Sequence, residues 1–228
     1  MTVVLLMLGV MTAATAPSQA APQQLAGSAI ICSNSPIPAG WVVTSSYRSS
    51  GCPGTGVAYN IADPSGQNGI IVCSFSPIPA GWVVTSSYPS SGCAGTGIAY
   101  NIGNAATVNS ATVCSFSPIP AGWVVTSSYA SSGCAGTGIA YSISNAANAS
   151  SATVCSFSPI PAGWVVTTSY ATSGCAGTGI AYTIANAAGA NYASVCSFSP
   201  IPTGWVVTGQ YQNSGCAGSG ISYNIRRA

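Results

Sequence analysis

Short runs of large apolar and small polar residues recur along this chain. Trp82-Val83-Val84-Thr85-Ser86-Ser87-Tyr88 is rich in β-branched and aromatic residues and has turn residues on both sides, so it reads as a strand. Ile98, Tyr100 and Ile102 alternate with Ala99 and Asn101, which predicts a second strand with its large residues on one face. Ser76-Pro77-Ile78-Pro79-Ala80-Gly81 cannot be helical, because each proline drives the residue before it to extended geometry. It predicts a bend that feeds the Trp strand. Ser90-Ser91-Gly92-Cys93-Ala94-Gly95-Thr96-Gly97 is a glycine-rich loop between the two strands. A third strand is predicted where the chain enters each first cysteine, as in Ala111-Thr112-Val113-Cys114. Beyond the apolar N-terminal run, no segment has helical periodicity.

The pattern is one unit written five times. Its first cysteines, Cys32, Cys73, Cys114, Cys155 and Cys196, are spaced by 41, as are its second cysteines, Cys52, Cys93, Cys134, Cys175 and Cys216. The boundaries that follow are a lead-in strand at 21–31, repeat 1 with its connector at 32–72, and repeats 2, 3 and 4 at 73–113, 114–154 and 155–195. Repeat 5 with a C-terminal cap occupies 196–228. The connectors Ala62–Val72, Gly103–Val113, Ser144–Val154 and Ala185–Val195 differ in sequence but not in length. A free linker tolerates changes in length, so constant length predicts a set path. The expected fold is all-β, a tandem array of five 41-residue disulfide-stapled units.

Three roles compete for the cysteines: a disulfide within each repeat, a disulfide between repeats, and a metal or redox site. No C-x-x-C occurs, so zinc-ribbon and thioredoxin patterns are missing. Pairing between repeats leaves Cys32 and Cys216 over. Pairing within repeats uses all ten cysteines and is favoured, because tandem duplication most easily copies a finished unit. Closing a loop of this size stabilises by about 3 kcal/mol in the chain-entropy model, which matters for a unit too small to bury much core.

Five repeats can stack as an open solenoid-like rod or close as a five-bladed propeller. The terminal copies depart from the rest. Asn34 stands where the others have Phe75, Phe116, Phe157 and Phe198, and the last copy brings in Gln210, Gln212 and Asn213. Polar end repeats are expected of an open array, which favours the rod.

Charge then narrows the function. The chain has no His, Lys or Glu; its charged residues are Arg48, Asp63, Arg226 and Arg227. General acid–base catalysis needs a proton-exchanging group, and a Ser or Cys nucleophile needs a base beside it. The composition therefore predicts a protein that is not an enzyme and carries no metal or cofactor. A net charge of +2 gives no reason to expect nucleic acid as a partner. The apolar run Val3–Val10, followed by Ala16-Pro17-Ser18-Gln19-Ala20-Ala21, reads as a signal peptide over residues 1–20. It departs from the usual form in having no Lys or Arg before the apolar run. The run is too short to span a bilayer, so no membrane insertion is expected after cleavage. Regular cysteines add to this, and a secreted, extracellular or cell-surface location is expected.

Several motifs are decoys. Gly95-Thr96-Gly97 lacks the third glycine and the following helix of a dinucleotide loop. Asn148-Ala149-Ser150 is a glycosylation sequon by spacing alone. Pro77-Ile78-Pro79 reads as a structural bend before a ligand for a proline-binding domain. The aromatics need more attention. Trp41, Trp82, Trp123, Trp164 and Trp205, with Tyr47, Tyr88, Tyr129, Tyr170 and Tyr211, fill the small cores on one reading. On another they stack on sugar rings, and five copies add avidity. No charge occurs between Cys73 and Cys216, so the charged residues that normally guard β edges are missing. The leading expectation is a structural protein that self-associates in a matrix, coat, sheath or filament, its main partner being itself. The alternative is a multivalent, lectin-like binder of glycans. A weaker idea is an ice-binding surface of Thr and Ser rows.

Overall fold

The computed structural model describes residues 27–228. The expected signal peptide at 1–20 and the first part of the lead-in lie outside the described residues. The first sheet contains β1 (Ser28–Cys32), β2 (Val42–Arg48) and β3 (Val57–Ala62). The second contains β4 (Gly69–Cys73), β5 (Trp82–Pro89) and β6 (Ile98–Asn104). The third contains β7 (Ser110–Cys114), β8 (Trp123–Ala130) and β9 (Ile139–Asn145). The fourth contains β10 (Ser151–Cys155), β11 (Trp164–Ala171) and β12 (Ile180–Asn186). The fifth contains β13 (Tyr192–Cys196), β14 (Trp205–Gln212) and β15 (Ile221–Arg227). Each is a separate three-stranded antiparallel sheet with the last strand of the unit in the middle, as in the order β4-β6-β5. The fold is the all-β tandem array that the repeat spacing predicts.

The order follows from the local sequence. After β4 the prolines hold the chain extended, so it cannot hairpin straight back and instead crosses to the far edge of the sheet. Ile78 of this crossover packs against the hydrophobic cluster that contains Val72, Val84 and Ile102. A four-residue turn then aims β5. The Trp82 N–H donates to the Pro79 carbonyl at 3.0 Å, and Gly81 takes φ 81°, the left-handed geometry that a type II turn asks of its third residue. The glycine-rich loop returns the chain along the middle as β6. Each loop is closed by a disulfide within its own repeat: Cys32–Cys52, Cys73–Cys93, Cys114–Cys134, Cys155–Cys175 and Cys196–Cys216.

One alternation has a different outcome from its sequence pattern. Ile102 is buried on the face with the large residues, as expected, but Ala99 on the opposite face is equally buried. Ala99, Cys73 and Cys93 pack against Val43 and Ile61 of the preceding repeat. Both faces of an interior sheet are therefore partly covered, and the small alanine lets two sheets approach closely. The hydrophobic clusters cross repeat boundaries. One joins Val42 of repeat 1, Val72, Trp82, Val84 and Ile102 leading into and within repeat 2, and Cys114, Cys134 and Ala140 of repeat 3. Burying side chains of this size contributes about 1.5–3 kcal/mol each, so much of the core belongs to the stack and not to any single unit.

Each sheet packs on the next, through β2 with β4, β5 with β7, β8 with β10 and β11 with β13. The first sheet has no comparable contact with the fifth among the described residues. A closed ring would bury Val206 and Val207 as their equivalents are buried, yet both are exposed. The array is open.

Candidate functional site

The repeated feature that the structure builds with care is the joint between successive repeats. It begins with a β-bulge. In β5, Val84 pairs with Ile102 and Ser86 with Asn101, so Thr85 is an extra residue in the strand. Its hydroxyl donates to the Asn101 carbonyl at 3.2 Å. The bulge sets Val84 and Ser87, three apart in sequence, opposite Ile102 and Tyr100, two apart. Residues at such equivalent pairings point their N–H groups the same way. Both N–H groups reach the open edge of the sheet, where the next repeat supplies the acceptors.

Those acceptors are a serine hydroxyl and a loop carbonyl. The N–H of Val43, Val84, Val125 and Val166 donates at 2.8 Å to the hydroxyl of Ser76, Ser117, Ser158 and Ser199 respectively. Each of these serines in turn donates to the carbonyl of the proline that follows it, at 3.0–3.1 Å. The N–H of Ser46, Ser87, Ser128 and Ser169 donates to the carbonyl of Gly92, Gly133, Gly174 and Gly215 at 2.8–2.9 Å. Their hydroxyls donate to the carbonyls of Ala94, Ala135, Ala176 and Ala217 at 2.9–3.0 Å. The disulfide loop of one repeat thus completes the strand edge of the repeat before it, and all of these serines are buried. An edge strand finished in this way has its polar groups satisfied without charge.

Aromatic contacts add to each joint. Tyr59, Tyr100, Tyr141 and Tyr182 meet Phe75, Phe116, Phe157 and Phe198 of the next repeat with ring centroids 5.1–5.2 Å apart. At the two ends the set is incomplete: Asn34 replaces the phenylalanine in repeat 1, and the ring pairs among the described residues stop at Tyr182 with Phe198. Trp82, Trp123 and Trp164 are buried and lie in clusters with Val42, Val83 and Val124 of the preceding repeats. Trp41 and Trp205 are half-buried. Arg227 stands over the Trp205 ring at 5.9 Å and donates to the Ala188 carbonyl. The tyrosines of the same strands face outward: Tyr47, Tyr129, Tyr170 and Tyr211 are exposed and Tyr88 half-buried. The stack therefore separates the candidate aromatics into a tryptophan series, buried in the three middle repeats and half-buried in the end ones, and an outer tyrosine series.

The serines of the joint are the residues that pattern reading passes over. Ser76 sits beside a proline and Ser87 in a polar stretch of strand, where each looks like turn or surface filler. Their only sequence signal is recurrence at the same place in successive copies. Polar side chains also bond across the strands within each sheet. The Asn60 and Asn101 amides donate to the hydroxyls of Ser45 and Ser86 at 2.6 and 2.7 Å, and Thr168 donates to Thr183 at 2.8 Å. All ten cysteines are in disulfides, and among the described residues no three His, Cys, Asp or Glu side chains cluster as metal ligands would. No protein-family model, curated protein or solved structure matches the chain.

Proposed function

We propose that this is a secreted structural protein that self-associates in an extracellular matrix, coat, sheath or filament, and that it acts without catalysing a reaction. The observation that carries the reading is the set of β edges without charge. Five separate sheets each have two edge strands, and no Asp, Glu, Lys or Arg guards them from Cys73 to Cys216. Charged residues, prolines and covering loops are the usual protection against edge pairing. Here the cover on one edge is the next repeat, and on the other edge strands such as β7 and β10 carry Ser, Ala, Thr and Val, exposed at Ser110 and Ser151 and buried against the preceding repeat from Val113 and Val154 onward. The five disulfides support a location in an oxidising space outside the cell or at its surface. The test is sedimentation and negative-stain microscopy of the oxidised protein over a concentration series. Ordered multimers are expected; a strictly monomeric species at high concentration overturns the reading.

One observation favours a second reading, a multivalent glycan binder. Tyr47, Tyr129, Tyr170 and Tyr211 are exposed at 39–44% and recur with the repeat. Exposed rings in a regular series suit sugar stacking and gain from avidity. The buried tryptophans take no part in it. A glycan array probed with the native protein and with a Tyr129→Ala, Tyr170→Ala variant checks this reading. Binding weakened in the variant supports it, and a blank array removes it.

A further inference from the structure

We propose that the last repeat of one chain docks on the first repeat of a second copy, so that chains extend head to tail by the joint already used four times within each chain. This rests on the self-associating reading above and names the surface responsible.

The tail presents an unfinished joint. Val206 and Val207 are exposed at 41% and 48%, whereas Val42 and Val43, at the same place in the first repeat, are both at 0%. The bulge recurs in β14: Val207 pairs with Ile225 and Gln210 with Tyr223. Their N–H groups therefore point to the open edge as those of Val84 and Ser87 do. The head presents the matching half. Ser35, Gly51 and Pro53 stand where Ser76, Gly92 and Ala94 stand one period later, and Ser35 is exposed where its equivalents are buried. Cys32 is half-buried, whereas the first cysteine of every later repeat is fully buried under its neighbour. In all four internal joints the occupant of this surface is another copy of the same unit, which argues for a second chain over a foreign partner.

The joint between chains would keep the Val207 N–H to Ser35 hydroxyl bond and the Gln210 N–H to Gly51 carbonyl bond. It would lose two features. Gln210 replaces the serine whose hydroxyl reaches the third acceptor, and Asn34 replaces the phenylalanine that would meet Tyr223. Docking between chains is thus weaker than stacking within one, so assembly is reversible and depends on concentration. The contact is heterologous, and the repeats of one chain do not close on themselves, so successive chains form an open filament.

The test compares the oxidised protein with Val207→Arg and Ser35→Arg by sedimentation velocity. Both positions are exposed, so both variants should fold, checked by circular dichroism and protease resistance. The parent protein should grow with concentration, and each variant alone should stay monomeric. A mixture of the two should form dimers and nothing larger, because Val207→Arg keeps its head and Ser35→Arg keeps its tail. As a gain of function, Asn34→Phe with Gln210→Ser should lower the concentration for assembly by about tenfold or more. Multimers from either single variant, or a mixture that remains monomeric while the parent assembles, would overturn the head-to-tail joint and leave the self-associating reading standing. A parent protein that is monomeric throughout would remove both.

Discussion

Ser117 accepts a hydrogen bond from the backbone N–H of Val84 at 2.8 Å, although the two lie 33 residues apart in successive repeats. Its own proton goes to the Pro118 carbonyl at 3.0 Å. Ser117→Ala leaves a buried N–H with no partner and frees one carbonyl. Loss of about 1–3 kcal/mol is expected, read as a lower midpoint in chemical denaturation. Ser35→Ala at the exposed head should leave the midpoint of the dilute protein unchanged.

Position within the array should matter more than residue type. Val166 is buried at the joint between repeats 4 and 5, and Val207, one period later, is not. Val166→Ala removes two buried methyl groups and leaves a cavity, for an expected cost of about 2 kcal/mol. Val207→Ala in the dilute protein should stay within about 0.5 kcal/mol of the parent. Thermal or denaturant melts of the two variants check the difference.

Removing one staple should loosen one repeat and its two joints. The Cys114–Cys134 bridge closes a loop with a sequence separation of 20, worth about 3 kcal/mol on the chain-entropy account. Cys114→Ala with Cys134→Ala should open the loop between them to protease first, so that mass spectrometry finds the earliest cuts within residues 115–133. Cleavage spread evenly over all five repeats would contradict the prediction.

Stability should be almost flat with pH. The chain has no His, Glu or Lys, and Asp63 is its only carboxylate side chain. Stability changes with pH only where folded and unfolded chains bind different numbers of protons. With all ten cysteines in disulfides, no remaining side chain has an ordinary pKa between about pH 5 and pH 9, and melting temperatures of the oxidised protein across that interval should agree closely. A clear slope in the melts would show that another group is linked to folding.

Much of the unit was legible in the sequence. The β-branched run from Trp82 to Tyr88, the prolines before it and the 41-residue cysteine spacing imply three strands, a bend and a tandem array of stapled repeats, and the polar terminal copies favour an open one. Those features depend on local backbone preference and on self-similarity, both of which a single chain displays. The joint was not legible, because it depends on a residue that breaks the alternation. Thr85 is an ordinary β former, and nothing in its identity announces the bulge that turns Val84 and Ser87 to one edge. Ala99 was misleading for a related reason. A small residue opposite a large one suggests an open face, but here it is small because the sheet of repeat 1 lies against it. The tryptophans fill the core, as one of the two sequence readings has them, but the core they fill is shared with the preceding repeat.

The placement of the disulfides also determines how such a chain responds to being pulled. Of each 41-residue period, the bridge encloses a stretch of 20, and this part cannot lengthen while the sulfurs remain joined. The other 21 residues can straighten to about 70 Å at roughly 3.3–3.6 Å per residue. A stretched chain should therefore yield repeat by repeat in equal, limited steps. Oxidised, it is a strap with a built-in stop; reduced, it becomes roughly twice as extensible, so the redox state of its surroundings sets its reach.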